Sequence, residues 1–515
     1  MDSSKIKAVF IAVVALFAAL YLGITAATAQ FKTILWVVGG VGLTICLMLG
    51  RRIFLLLPFM AGLSLTLPLP GSFSTGLMAQ GVVFGFLLLN LLMRRLPMRG
   101  GVSELEVWWF LLVVTVVQAY VRNPVGLNIF GSGSIGGKPY AIFAATTATA
   151  LFLSLLRIDP KDLKLWVTLS FTGSILNFCI GLVGFFIPAV GYYLGASFSS
   201  DSATEQEAEE GQATRVAFVR NLSVGLTTWI ASRRNPLKAI FHPLWLPLIL
   251  FSIALAGASG YRSQIIQVGL IYFLGVCYWS GVKGVLGSIL LGCLGLLAIT
   301  ILNLAVPLPA NIQRSLSFLP GSWDSSVVRE TGFSTDWRVD MWKEALFTDR
   351  WIENKIIGDG LGITEAEYRR MKALKEGDLQ LGRGGRGMTV QQETMMINGN
   401  YHSGPVQTVR TTGYVGLIIL VLAMIRLAVH AHRQILRTRG TEWSSVAMFL
   451  GLPIVATPLF WCFVFGSFSG GISGYMMGMA IVRLMEKNLP LPPYMVGRRE
   501  AYVLDRTLKT AKAAG

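Results

Sequence analysis

Charge is scarce in this chain. Only 14% of its 515 residues are Asp, Glu, Lys or Arg, whereas soluble domains carry roughly 25%. That excludes an ordinary soluble domain. Within the apolar runs the scarcity is sharper, because no carboxylate stands in the middle of one; Glu104 and Glu106 mark the start of one. Ion-coupled transporters place Asp, Glu or His near the bilayer midplane, so the absence argues against a pump or symporter. Histidine and cysteine are also rare. The five cysteines (Cys46, Cys179, Cys277, Cys293 and Cys462) all fall in apolar runs. They offer no disulfide framework and no metal-ligand spacing, and are expected to be small buried hydrophobes. The net charge of +17 would suit a nucleic acid, but its distribution follows membrane topology, so no nucleic-acid partner is expected.

What the chain has in abundance is apolar length. It is 53% hydrophobic, with a mean hydropathy of +0.60. Runs of spanning length, near 20 residues, fall at about 8–29, 33–50, 53–69, 75–93, 104–120, 138–156, 165–186, 216–232, 243–258, 264–281, 284–306, 413–429, 444–464 and 469–485. The expectation is an all-α polytopic membrane protein with roughly 14 transmembrane helices. Lys5, Lys7 and the Ala27-Thr28-Ala29 stretch imitate a signal peptide. The apolar stretch between them is long for one, so it reads as an uncleaved first span.

Loop charge gives the orientation. Alternate loops carry Arg51 and Arg52; Arg94, Arg95 and Arg99; Arg157, Lys161 and Lys164; Arg233, Arg234 and Lys238; and Arg426, Arg433, Arg437 and Arg439. The short loops opposite hold Lys32, Arg122, Lys138, Arg215, Arg220 and Arg262. By the positive-inside rule the richer side and both termini are cytoplasmic. Five parts follow: an N-terminal transmembrane bundle (1–194), spans with outer-face arginines (195–306), a long outer loop (307–412), C-terminal spans (413–485) and a basic cytoplasmic tail (486–515).

The long loop holds thirteen acidic and thirteen basic residues. From Asp336 to Leu346 it places Trp337, Met341 and Ala345 on one helical face, with Trp342 and Leu346 beside them. This predicts a short amphipathic helix capped by Asp336. Gly358-Asp-Gly-Leu-Gly362 has neither a preceding strand nor a following Lys-Ser/Thr pair, so it reads as a tight turn and not a phosphate loop. The acidic stretch 195–214 and the glycine-rich stretch 377–386 are expected to be flexible.

Chemistry on the outer side comes down to one histidine and a few arginines. His402 sits between turn-prone Asn-Gly-Asn and Ser-Gly-Pro sequences, shortly before the span that opens at Gly413. Arg215, Arg220, Arg262 and Arg410 lie at span ends against the charge bias. Guanidinium forks suit phosphate oxygens, with each charged bond contributing roughly 1.5–3 kcal/mol. Two or three of them around a histidine base would form a diphosphate site facing outward. With no cysteine and no Asp-x-Asp pair on that side, no metal and no other cofactor is expected.

His402-Ser403, nine residues, Gly413, two residues, Gly416 resembles the His-[Asn/Ser/Gln]-x9-Gly-x2-Gly signature of the O-antigen ligase and polymerase superfamily. Ala258-Ser-Gly-Tyr-Arg262-Ser is similar to its Ser-x-Ser-Arg-Gly turn, and Arg215-Val-Ala-Phe-Val-Arg-Asn221 to its Arg-x-x-Gly-x-Phe-x-Asn segment. Arg338-x3-Trp342 followed by Gly358-x-Gly-x-Gly is similar to its long-loop pattern. The resemblance covers about 215–422. Phe218 stands in place of a family glycine and Tyr261 in place of a small residue, and both Arg215 and Arg220 are candidates for the motif arginine.

The resemblance implies a metal-independent, inverting glycosyltransferase of the C-type fold in the bacterial inner membrane, with its active face periplasmic. Its partners would be a polyprenyl-diphosphate-linked oligosaccharide donor, a glycan or lipid-core acceptor, and membrane lipid. His402 would be the catalytic base, and Arg262 with Arg215 or Arg220 would bind diphosphate. Arg338, Trp342 and Arg410 would be lid or substrate contacts. Three alternatives stand beside this reading: a protein O-oligosaccharyltransferase, a small-solute transporter of the inorganic-carbon type, and a lipid-binding assembly subunit.

Overall fold

The computed structural model describes residues 40, 48–67, 73–95, 101–126, 136–187, 216–306, 308–370, 372–373 and 390–490. The chain divides into two compact units, Met1–Phe54 and Leu55–Gly515. All helices that carry the candidate site belong to the second. The expected spans near 8–29 and 33–50, the acidic stretch 195–214, the glycine-rich stretch 377–386 and most of the tail lie outside the described residues, as does Arg215.

The second unit is all-α apart from a two-stranded antiparallel ladder, Thr66–Leu67 with Phe73–Ser74. Its helices are α1 (Leu56–Leu63), α2 (Thr75–Leu92), α3 (Glu104–Arg122), α4 (Lys138–Leu155), α5 (Pro160–Phe186), α6 (Val219–Arg233), α7 (Trp245–Ala258), α8 (Arg262–Ala305), α9 (Ala310–Leu316), α10 (Ser325–Phe347), α11 (Val390–Ile397), α12 (Gly404–Arg437), α13 (Ser444–Phe463) and α14 (Phe468–Asn488). Six of them, α2, α3, α5, α8, α12 and α13, are long and apolar enough to cross a membrane. The protein is an all-α membrane protein. Its outward faces fit a lipid solvent: the second half of α8 leaves Val282, Leu286, Leu290 and Leu304 mostly exposed, a cost no soluble protein would bear.

Helix boundaries follow from local chemistry. α3 starts at a capping box in which Ser103 and Glu106 satisfy each other's backbone amides. Asp159 caps α5 and Pro160 opens it, while Ser403 caps α12 and Pro405 sits in its first turn. Two long helices break at glycine. α8 is interrupted at Gly281 (φ 60°) and α12 at Gly413 (φ 72°). Each is therefore two segments, which separates the expected spans 264–281 and 284–306 and sets the start of the span at 413.

Two expectations change. The apolar run 53–69 is not one helix: α1 stops at Ser64 in the left-handed region (φ 45°), and the strand Thr66–Leu67 follows it. The cysteines are not uniformly buried: Cys179 and Cys293 face outward from their helices.

α12 is the central helix. It packs against α3, α13 and α14, while α6 packs against α5, α7, α8 and α13, so α13 lies between the two groups. Close crossings rest on small residues. Gly62 of α1 and Gly173 of α5 meet backbone to backbone, and a Cβ on Gly173 would overlap the Phe59 carbonyl.

Candidate functional site

His402 occupies a turn whose every neighbour is fixed. Its φ is +49°, a left-handed conformation that costs a non-glycine residue roughly 1–3 kcal/mol and persists only where the surroundings enforce it. Tyr401 supplies much of that enforcement. Its side chain is fully buried, and its carbonyl accepts a 2.7 Å hydrogen bond from the Trp342 indole. Gln407 works on the other side. Its amide donates to the Gly399 carbonyl (2.9 Å) and accepts from the Phe468 amide (2.6 Å), tying the turn to the start of α14. Ser403 then caps α12 by accepting from the Val406 amide. The His402 ring remains partly exposed, 6.2 Å from the ring of Phe465. A partly exposed imidazole on a rigid turn suits proton transfer, which needs a fixed base with access to its substrate.

Burial pushes the Tyr401 phenol up to about 12 from its ordinary value near 10. Because the fold favours the neutral phenol, this stabilising contribution is intact below about pH 10 and is lost as the pH climbs towards 12. We therefore expect the tyrosinate difference spectrum between wild type and Tyr401→Phe to be flat at pH 10–11 and to appear only above it. A difference already present at pH 10 would mean that the turn is open.

The long loop builds the frame. α10 is twice the expected helix: it starts at Ser325, capped by Asp324, and not at Asp336. The expected face is right, since Met341 and Ala345 are buried in one core with Tyr401, Met396, Ile397, Val406 and Val409, and Trp337, Trp342 and Leu346 pack against it. Arg338 is partly buried on the same helix.

The Gly358–Gly362 stretch is a turn, docked into the break of α12. The Asp359 and Gly360 amides donate to the Arg410 and Thr411 carbonyls (2.6 and 3.0 Å), and the Tyr414 and Val415 amides donate back to Lys355 and Ile356 (2.8 and 3.1 Å). The Leu361 amide donates to the Tyr140 hydroxyl. Its amides are therefore directed at protein acceptors, not displayed for a phosphate. From α3, Gln118 and Arg122 donate to the Ile357 carbonyl and Asn123 to that of Asp359 (3.0 Å); Arg122 also donates to Gly358.

Arg410 is part of this frame. It is buried in the first turns of α12, donates to the Ile397 carbonyl (3.1 Å) and lies 3.6 Å from Glu367. Its guanidinium covers Gly399, which sits at φ 68°.

Arg220 and Arg262 form a second group. Arg220 sits one residue into α6 with its guanidinium 4.8 Å over the Tyr261 ring, a cation–π contact. Its carbonyl accepts from Gln264 (3.2 Å). Arg262 is the first residue of α8, and its Nε and Nη2 donate to the Arg314 carbonyl and the Ser317 hydroxyl, both at 3.3 Å. The turn itself is closed by Ser259, whose hydroxyl accepts from the Tyr261 amide and whose carbonyl accepts from Val216. Of the two candidate arginines Arg220 lies among the described residues, held over the ring of Tyr261, the residue before Arg262. Ser317 and the Arg314 carbonyl carried no sequence signal, because their link to Arg262 crosses more than fifty residues.

Compared with protein-family models and with curated proteins, the chain has no match in either.

Proposed function

We propose that this chain is a membrane glycosyltransferase that moves an undecaprenyl-diphosphate-linked glycan onto an acceptor hydroxyl at the periplasmic face of the bacterial inner membrane. It is of the polysaccharide polymerase or O-antigen ligase type, with roughly fourteen spans, a C-type arrangement and both termini cytoplasmic. The observation that carries the reading is the His402 turn: a titratable, partly exposed ring on a backbone in the left-handed region, between the bonded neighbours Tyr401 and Ser403. The Arg220–Tyr261–Arg262 cluster supports it.

In the proposed reaction His402 takes the proton of the acceptor hydroxyl. The hydroxyl oxygen bonds to the anomeric carbon, the bond from that carbon to the diphosphate breaks, and the electron pair leaves with the diphosphate. Arg262 and Arg220 stabilise the charge that collects there, an effect largest in a site kept from water. Inversion follows from a single displacement. In this reading no metal takes part, and the arginines take the role that a divalent ion has elsewhere.

The test is transfer by the purified protein in proteoliposomes with a polyprenyl-diphosphate-linked oligosaccharide and its acceptor. Arg262→Lys keeps the charge but loses the planar fork, and is expected to lower transfer about tenfold. Transfer unchanged in Arg262→Lys and in Arg262→Ala would remove this residue from the diphosphate site. Absence of transfer with every acceptor, together with His402-independent uptake of a small solute, would overturn the reading as a whole.

A further inference from the structure

Two helices measure how far the Gly358 turn stands from one face of the membrane. The partly exposed ion pair of Glu104 and Arg426 marks that face, because charges open to their surroundings do not stand in hydrocarbon. From Glu104, at a rise of about 1.5 Å per residue, Gln118 lies about 21 Å along α3 and Arg122 about 27 Å. Both side chains donate to the Ile357 carbonyl. From Arg426, Val415 lies about 17 Å along α12, and its amide donates to the Ile356 carbonyl. A hydrocarbon core is about 30 Å thick, and helix tilt only shortens these heights. We propose that residues 354–360 form a re-entrant element set within the bilayer, and that the Ile356 side chain lies against lipid acyl chains.

The backbone is finished for such a place. Irregular chain at membrane depth must have its polar groups met by protein. Eight of the nine amides from Glu353 to Leu361 donate to protein acceptors. The Asp359 carboxylate accepts from Glu353 and Asn354 (2.9 and 2.8 Å), and the Asn354 side chain from Ile356 and Ile357 (3.2 and 3.1 Å). The Asn354 carbonyl accepts from Gly358 (2.8 Å), and the amides of Asp359, Gly360 and Leu361 go to α12 and Tyr140. Every carbonyl from Asn354 to Asp359 accepts as well. A loop in water has no need of this, since water meets its polar groups.

The outward side of the turn is apolar and continuous with a lipid face. Ile356 is 67% exposed. Val415, bonded beside it, begins a row of exposed side chains, Val415, Ile418, Leu422 and Ile425, spaced for one face of a helix long and apolar enough to cross a membrane. The charged neighbours turn elsewhere. Lys355 bonds Asp349, which is itself exposed, and so leads back towards water, while the Asp359 carboxylate is taken up by two amides.

The experiment uses the full-length protein in vesicles of phosphatidylglycerol and phosphatidylethanolamine. With the five native cysteines replaced by alanine, a nitroxide is attached to Ile356→Cys, Ile418→Cys or Glu365→Cys. Its collisions with oxygen, which enters hydrocarbon, are compared with those with a water-soluble nickel chelate. Oxygen is expected to dominate at Ile356 and Ile418, and the ratio to reverse at Glu365, an exposed residue of the same loop. Substitutions in the otherwise unaltered chain supply the second arm: Ile356→Asp should open residues 353–363 to protease, and Ile356→Leu should not, because only a carboxylate is costly in hydrocarbon. A label at Ile356 as open to nickel as that at Glu365, a label closed to both reagents, an Ile418 label that behaves like Glu365, or an Ile356→Asp protein as protected as wild type would overturn the proposal. None of these outcomes bears on glycan transfer.

Discussion

Replacing His402 with asparagine is expected to lower glycan transfer by roughly 10²–10⁴-fold while wild-type levels of protein stay in the membrane. Asparagine is the informative choice because of the backbone. At a φ of +49° alanine adds strain of its own, whereas asparagine tolerates the left-handed region and still hydrogen-bonds. It cannot take up a proton. The Tyr401–Trp342 and Gln407–Gly399 bonds that hold the turn do not pass through the imidazole, so the frame survives the change. Lost product with accumulated lipid-linked repeats, in a deletion host carrying the native polysaccharide genes, is the expected result. If His402→Asn supports normal glycan, the base is elsewhere and the transferase reading loses its main residue.

How legible this was in the sequence depends on the range of the interactions. Helices α3 to α8 and α12 to α14 could be located because an apolar run is written into the residues of each helix. The start of the span at Gly413 was legible because the apolar run opens there, whereas the helical segment before it was not. The face of α10 was legible from its spacing, but its start was not. The stretch from Ser325 to Thr335 is polar and contains Gly332, so local propensity gives little reason to extend the helix, and the Asp324 cap decides it. Arg410 was read as one of the span-end arginines, a reading that says nothing of its burial. Its burial comes from Gly399 and Ile397 folding back over it.

The far end of the bundle was least visible. Glu104 was readable as a helix start, but its ion pair with Arg426 (Nε at 2.5 Å) spans 322 residues. The Arg483–Glu106 pair spans 377. Apolar periodicity says which face is inside and nothing about which partner waits there. The two ends of the protein also use charge differently. At one end carboxylates pair with most of the cations between helices, and at the other Arg220 and Arg262 are held by a ring, a carbonyl and a hydroxyl.

The second large effect is expected far from any reacting group, at Gly413. A Cβ there would overlap the Ile356 carbonyl and the Ile357 amide, backbone atoms that cannot step aside without undocking the loop. The φ of 72° adds its own cost. Left-handed strain of about 1–3 kcal/mol and overpacking of about 1–3 kcal/mol together are as large as what the four backbone hydrogen bonds between the loop and α12 return, each roughly 0.5–1.5 kcal/mol, and undocking relieves the collision. Gly413→Ala should therefore release residues 353–363 from α12, expose them to protease in membrane vesicles, and lower transfer along with the order of the His402 turn. Gly440→Ala is the control. Gly440 has a similar φ of 78°, but a Cβ on it meets nothing within 4 Å, so that variant bears the strain without the collision. If both variants are cleaved alike, or Gly413→Ala keeps the loop protected, the docking of the Gly358 turn into the helix break is not what orders the site.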